Sequence, residues 1–354
     1  MKKNFFLVFV TAGALLCSIS CSKQDLTEET QLTEGPETTM ATASTSSRVF
    51  FEGVNGHPMN QAPYTYTSPE AQINLIKSLG MNVYRIDLPV NSKGEVNVPH
   101  RLDRLKKAAD AAGVTLLPMI ATPNLENFKY DEGYYYRKGH ALGSKFAKLY
   151  GEYFTYYNIG NELDNKCILS SSKAGDKAAH YDIKKFRRIA ACLRGMNDGI
   201  KIYDKTAKTM INASWMHYRY LSMIEDLGIR FDIVAYHWYD EMEQLAKQSY
   251  NIDDFTKFLS SKFEKPIWFT EIGVRDNTGT GSRSVQYQTS FFNSFITKCR
   301  NNPQVQAVII YELFNEPHLS YVQEQHYGIY KWLSLYTSYA PKPFAAERLK
   351  SLAQ

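Results

Sequence analysis

Tyr156-Tyr157-Asn158-Ile159-Gly160-Asn161-Glu162 is a short aromatic and β-branched run that stops at a glycine and two polar side chains. A run of this length is too short for a stable helix and suits a strand buried on both faces. Comparable runs lie on either side of it, at 49–54, 83–87, 115–120, 209–213, 233–237, 267–270 and 307–311. Together with 156–160 they make eight candidate strands.

Longer stretches with helical periodicity separate them. Ser68-Pro69-Glu70 opens one that reaches Leu79, with serine as cap and proline in the first turn. Another covers 102–112 and closes at Gly113, the longest spans about 180–206, and 345–352 is apolar on one face. Strands alternating with helices predict an α/β chain, and eight such pairs predict a closed (β/α)8 TIM barrel. An open doubly wound sheet would carry a glycine-rich turn after its first strand. Gly53-Val54-Asn55-Gly56-His57 lacks the dinucleotide spacing, and the chain has no P-loop, no Gly-x-Ser-x-Gly elbow and no internal repeat.

The N-terminus reads differently. Lys2 and Lys3 precede an apolar stretch over 5–16 that is too short to span a bilayer, which predicts a signal peptide over 1–20. Ser18-Ile19-Ser20-Cys21-Ser22 resembles a bacterial lipobox, so Cys21 is expected to be acylated after cleavage. Residues 21–47 are rich in Thr, Ser, Glu and Gln, and read as the lipidated cysteine followed by a tether with too little apolar surface to fold. The domain that follows, 48–354, is expected to work in the cell envelope as a monomer. Its only membrane contact would be the lipid, anchored to the outer membrane.

A net charge of +5, from 41 basic and 36 acidic residues, leaves no dense basic block to track a phosphate backbone, so nucleic acid is excluded as a partner. Cys167, Cys192 and Cys299 are an odd number without CxxC spacing and suggest neither a disulfide framework nor a zinc site. The histidines His57, His100, His140, His180, His217, His318 and His326 are scattered, so no catalytic metal and no cofactor is expected.

In a TIM barrel the carboxyl ends of the strands converge on one pit. Glu162 follows the fourth candidate strand directly, and Glu271 ends Pro266-Ile267-Trp268-Phe269-Thr270-Glu271 on the seventh. Two carboxyls facing one sugar ring can split a glycosidic bond, one giving a proton to the leaving oxygen while the other attacks the anomeric carbon. Their environments must keep one protonated and one ionised. Arg85, in Tyr84-Arg85-Ile86-Asp87, and Tyr239, in Tyr236-His237-Trp238-Tyr239, would favour Glu271 as the anion.

With Arg85 on strand two, Asn161-Glu162 on strand four, His237 and Tyr239 on strand six and Glu271 on strand seven, the chain from about Arg48 onward resembles the clan A glycoside hydrolases. These are retaining barrel enzymes. The resemblance implies that Glu162 is the acid/base, Glu271 the nucleophile, Asn161 the group holding the sugar 2-hydroxyl, and Arg85 with Tyr239 the supports of the nucleophile. It departs from many clan members on strand eight, where Ile310-Tyr311-Glu312-Leu313-Phe314-Asn315-Glu316-Pro317 stands in place of a tryptophan-bearing end. Glu312 is a candidate for binding a sugar hydroxyl, with helix capping or an ion pair as the alternative. Among the rings in strand-to-helix loops, Tyr130, Tyr134, Tyr135, Tyr136, Trp215 and Tyr218, Trp215 is the preferred one for stacking on a sugar.

The expected substrate is an extracellular polysaccharide or oligosaccharide with β-linkages, and an endo-β-glucanase or β-mannanase is the preferred specificity. The rival reading is a sugar-binding surface lipoprotein without turnover.

Overall fold

The computed structural model describes residues 48–334 and 338–354. The expected signal peptide, acylated Cys21 and tether lie outside the described residues. Among the described residues no helix is long and apolar enough to cross a membrane.

Eight strands, β1 (Phe51–Gly56), β2 (Val83–Leu88), β3 (Thr115–Ile120), β4 (Tyr156–Ile159), β5 (Lys208–Ser214), β6 (Ile233–Tyr239), β7 (Ile267–Gly273) and β8 (Val305–Ile310), pair in parallel in chain order. β8 returns to pair with β1, so the sheet closes into a (β/α)8 barrel. The expected strands shift by up to three residues at their ends, most at the C-terminal end of β7, which continues to Gly273.

Because alternate residues of a strand face the barrel axis, the interior is built in layers. The lower layer is apolar: Val83, Leu117, Met210, Ile233, Ala235, Trp268, Ala307 and Ile309 form one cluster with Phe51 and Tyr156 packed on it, so all eight strands contribute. Trp268 plugs its centre, 4.9 Å from the ring of Phe51 and 4.6 Å from that of Tyr156. Two residues further along the strands the inward side chains turn polar, with Asn158, Arg85, Asn212 and His237 above Tyr156, Val83, Met210 and Ala235. The plug therefore sets the floor beneath a polar pit.

β7 breaks the alternation. Tyr236 pairs with Phe269, but His237 pairs with Glu271, so Thr270 is an extra residue on β7, and the pairing with β8 shifts over the same stretch. A bulge of this kind re-aims the side chain that follows it. Trp268 faces inward, strict alternation would turn Glu271 outward, and the extra residue turns it back toward the axis.

Most helices run between consecutive strands. The longest is Ile183–Tyr203, capped by Asp182, whose carboxylate accepts from the amides of Lys184 and Lys185 at 3.0 and 3.1 Å. It crosses the helix Glu132–Tyr150 in close backbone contact, since a Cβ on Gly139 would sit 2.1 Å from the carbonyl oxygen of Cys192. That second helix corrects one expectation: Tyr134, Tyr135 and Tyr136 are helical, not loop residues. Asp131 caps it by accepting from the amide of Tyr134 at 2.7 Å.

After β8 the chain crosses the barrel mouth through residues 311–329, and β9 (Tyr330–Ser334) pairs antiparallel with β10 (Ser338–Pro341) before the last helix Pro343–Leu352. The crossing is closed at its neck by backbone bonds from Asn315 to Tyr330, from Ile329 to Glu312 and from Tyr330 to Leu313, at 2.9, 2.8 and 2.9 Å.

Candidate active site

Arg85 organises the polar layer. Its Nη1 donates to Oε1 of Glu271 at 2.7 Å and to Oδ1 of Asn55 at 2.6 Å, its Nε donates to Oδ1 of Asn158 at 2.9 Å, and its Nη2 to Oδ1 of Asn161 at 2.7 Å. β1, β2, β4 and β7 are thus tied to one buried guanidinium, whose rigid planar fork suits several fixed acceptors at once. Asn55 also donates to the backbone carbonyls of Thr270 and Ile310, at 3.0 and 3.2 Å, which braces the bulged strand.

The other oxygen of Glu271 accepts from the hydroxyl of Tyr239 at 3.0 Å. Burial, followed by the charge of Glu271, holds the Tyr239 phenol well above its ordinary value, so it stays a donor. Both Glu271 oxygens are therefore held by fixed donors.

Glu162 has a different setting. It stands just after β4 with φ 46° and ψ 43°, a left-handed backbone that is rare outside glycine, and its side chain keeps 33% of its surface. Asn165 donates to its Oε2 at 3.2 Å, and Nδ1 of His237 lies 2.9 Å from its Oε1. The same Nδ1 is 3.3 Å from Oε2 of Glu271. Glu162, His237 and Glu271 each bring one donor atom within 4.8 Å of the others. Among the described residues no Lys or Arg side chain pairs with Glu162.

A cavity of about 220 Å³ opens over this pair, lined by Arg85, Asn161, Glu162, Tyr239 and Glu271 together with Asn55, His57, Asp87, Arg275, Tyr311, Glu324 and Tyr327. His237 is fully buried beneath its rim. The fold brings together five of the expected site residues here. Trp215 is not in the cavity wall: it follows β5 at φ 52°, stacks on Trp238 at 6.1 Å, and is half-buried beside Tyr250. Tyr130, Tyr134, Tyr135, Tyr136 and Tyr218 are not in the wall either, and Tyr135 is buried with its hydroxyl on the carbonyl of Leu125 at 2.6 Å.

For Glu312 the structure favours the ion-pair alternative over sugar binding: it is completely buried behind the cavity wall, where Tyr64 donates to its Oε2 at 2.6 Å and Nε2 of His57 lies 3.4 Å away, so it braces the wall. His57 sits between it and Asp87, with Nδ1 3.1 Å from Oδ1 of Asp87. Burial alone would lower the imidazole, but Asp87 and Glu312 outweigh it and hold His57 well above its ordinary value. Glu316 is buried beside Glu312, and burial followed by that neighbour pushes its carboxyl up to about 9.

Although scattered in the sequence, His57 thus meets acids from other elements. His57, Glu312 and Glu316 form a second trio close enough to hold an ion. Sequence reasoning passed over His57, Asp87, Asn55, Asn158 and Asn212. The signal for the last three was present, since an asparagine facing inward on an otherwise apolar strand must find buried partners.

Residues 161–328 match the glycosyl hydrolase catalytic core family. Among solved structures, the chain is similar to a hyperthermophilic β-glucosidase mutant, with a TM-score of 0.63 and 9% identity over 85% of this chain and 99% of that one. It is also similar to a β-glucosidase from Thermotoga maritima, at 0.61 and 12% over 86% and 97%. A hyperthermophilic β-glucosidase from Pyrococcus furiosus aligns at 0.61 and 10% over 86% and 95%. At these identities the likeness is one of fold. No curated protein sequence matches the chain.

The barrel, the paired glutamates and the matched core define an O-glycosyl hydrolase. The likeness to the β-glucosidases extends over the whole barrel, as a likeness of fold.

Proposed function

We propose that Glu162 is the acid/base and Glu271 the nucleophile of a double displacement on β-glycosides. One observation carries this reading: the two carboxylates come within 4.8 Å, while only Glu271 is clamped by a guanidinium and a phenol. A separation of about 5 to 5.5 Å suits direct attack, and one of about 6.5 to 9.5 Å would leave room for water and inversion.

In the first step Oε2 or Oε1 of Glu271 forms a bond to the anomeric carbon as the bond to the leaving oxygen breaks, and Glu162 gives that oxygen its proton. In the second, Glu162 takes a proton from water, whose oxygen displaces the Glu271 carboxylate and restores the enzyme. Asn161 has its oxygen committed to Arg85, so its amide hydrogens remain to hold the sugar 2-hydroxyl.

The substrate is a β-linked polysaccharide cut internally, a β-glucan or β-mannan, outside the cell and at the outer membrane through acylated Cys21. A second hollow of about 520 Å³, lined in part by Val90, Asn91, Thr122, Pro123 and Asn124 after β2 and β3, supports a site longer than one sugar. Trp215 would stack on a more distant residue of that chain. A panel of soluble β-glucans and β-mannans with analysis of products tests the assignment: short oligosaccharides released with β-configuration at the new end support it. Retarded migration in polysaccharide gels without any reducing sugar would instead favour a binding lipoprotein.

A further inference from the structure

Asn212 lies on β5, 2% exposed, and its amide is oriented by partners whose roles cannot change. Its Nδ2 donates to the backbone carbonyl of Gly160 at 3.2 Å, and its Oδ1 accepts from the backbone amide of Glu162 at 3.1 Å and from Nε2 of His237 at 3.0 Å. A carbonyl only accepts and an amide N–H only donates, so the oxygen of Asn212 faces His237. An oxygen can only accept there, so Nε2 of His237 carries hydrogen. The neutral ring then presents a lone pair at Nδ1, which faces Glu162 at 2.9 Å and Glu271 at 3.3 Å. A lone pair and a carboxylate repel each other at that distance, so one proton must lie between His237 and Glu162.

We propose that Asn212 is a positioning residue that fixes the tautomer of His237 and so makes the Glu162–His237 pair hold the proton delivered to the leaving group. The pair has two equivalent descriptions, a protonated Glu162 donating to a neutral ring or an imidazolium donating to the carboxylate, and each keeps one proton where the acid step needs it. The other charged or titratable groups near the ring act through Glu271: Arg85 from β2 and Tyr239 from β6 bind its oxygens, and Arg275 lies over the Tyr239 ring at 4.8 Å. They anchor the negative charge on Glu271, so the shared proton stays on the Glu162 side. The same asparagine bonds both sides of the left-handed turn at Glu162, which places the acid and sets its protonation through one side chain.

This inference rests on Glu162 being the acid, so its test has one arm that needs no turnover. Histidine labelled with ¹⁵N, with His237→Gln to assign the signal, reads the tautomer directly: hydrogen on Nε2 in the native protein is expected, and a mixture or an Nδ1–H ring in Asn212→Leu. The second arm compares phenyl with 2,4-dinitrophenyl β-glycosides of glucose and mannose. Freed from Asn212, the ring can donate from Nδ1 to the carboxylate, which favours ionised Glu162. Asn212→Leu should therefore move the alkaline limb of kcat/KM for the phenyl glycoside down by about one pH unit. Glycosylation by the dinitrophenyl glycoside, which needs no acid, should change less than about threefold. Asn212→Asp, which keeps the acceptor and adds a charge, should move the limb up.

A native neutral ring with hydrogen on Nδ1 and none on Nε2 overturns the proposal, as does an unmoved limb with both substrates slowed alike, the mark of a merely structural asparagine. Were the native enzyme to cut neither these glycosides nor any polysaccharide of the panel, the assignment of Glu162 would fall, and the ring signal alone would decide whether Asn212 holds His237.

Discussion

Glu271 pairs with His237 across β7 and β6 because Thr270 is an extra residue in the strand before it. The bulge converts a position that strict alternation would turn outward into one that faces the axis, opposite the ring that also meets Glu162. Nucleophile and acid candidates are thereby joined through one imidazole.

Arg85→Lys should lose far more activity than its conserved charge suggests. An ammonium cannot satisfy Glu271, Asn55, Asn158 and Asn161 together. A fall in kcat of about a hundredfold or more, with a smaller change in KM, is expected in steady-state assays on aryl β-glycosides. Near-native kcat would show that the clamp does not support the nucleophile.

The two glutamates should fail in opposite ways. Glu271→Ala abolishes turnover, and azide or formate then restores part of it with inverted product stereochemistry, read by proton NMR. With Glu162→Ala, dinitrophenyl glycosides still react, but a glycosyl ester on Glu271 accumulates after a burst, and azide releases it with retained stereochemistry. Swapped rescue patterns would exchange the roles.

Glu316 gives a pH signature in stability. A carboxyl pushed up to about 9 in the folded chain binds its proton more tightly there than when unfolded. Its contribution is therefore present in full below the ordinary carboxylate value and is lost as pH rises toward the folded value. Glu316→Gln stays neutral throughout. It should raise Tm by about 4 °C at pH 8, roughly 1 to 2 kcal/mol for a domain of this size, and change it little at pH 4.5. An equal effect at both pH values would mean Glu316 is ionised in the native protein.

Trp215→Ala should spare small substrates. The ring stands outside the cavity wall, so kcat/KM on aryl glycosides should stay within about threefold, while hydrolysis of long chains falls by about tenfold, the scale of one lost stacking contact. A parallel loss on both would assign Trp215 to packing against Trp238.

Cys21→Ala should move the protein from the detergent phase to the aqueous phase on phase separation. If native and variant proteins both stay aqueous, the lipid anchor is refuted.

The barrel was legible because fully buried parallel strands leave short apolar runs, and because Gly160 and Gly113 mark where strand and helix stop. The pairing of Glu162 with Glu271 followed from their places at strand ends. What stayed hidden depends on contacts distant in sequence: His57 meets Asp87 and Glu312 only when β1, β2 and β8 close together. Asn212 looks unremarkable until its three partners are known. Tyr134, Tyr135 and Tyr136 misled because a tyrosine run carries no helical stripe, and the turn into that helix is signalled only by Asp131 at its cap and Glu132 in its first turn. Glu312 has the right place at a strand end, yet Tyr64 and His57 cover it.

The crossing over 311–329 is pinned at a narrow neck by backbone bonds, with Tyr64, Gln288 and Lys342 bonding its two ends, and between those pins it delivers Gln323 and Glu324 to the cavity. Backbone bonds do not depend on which side chains lie between them. The buried ends of the segment are fixed, but residues 317–326 carry no buried side chain, so this middle stretch is an interchangeable cassette whose length and chemistry can change while the eight strands, Arg85 and both glutamates keep their places.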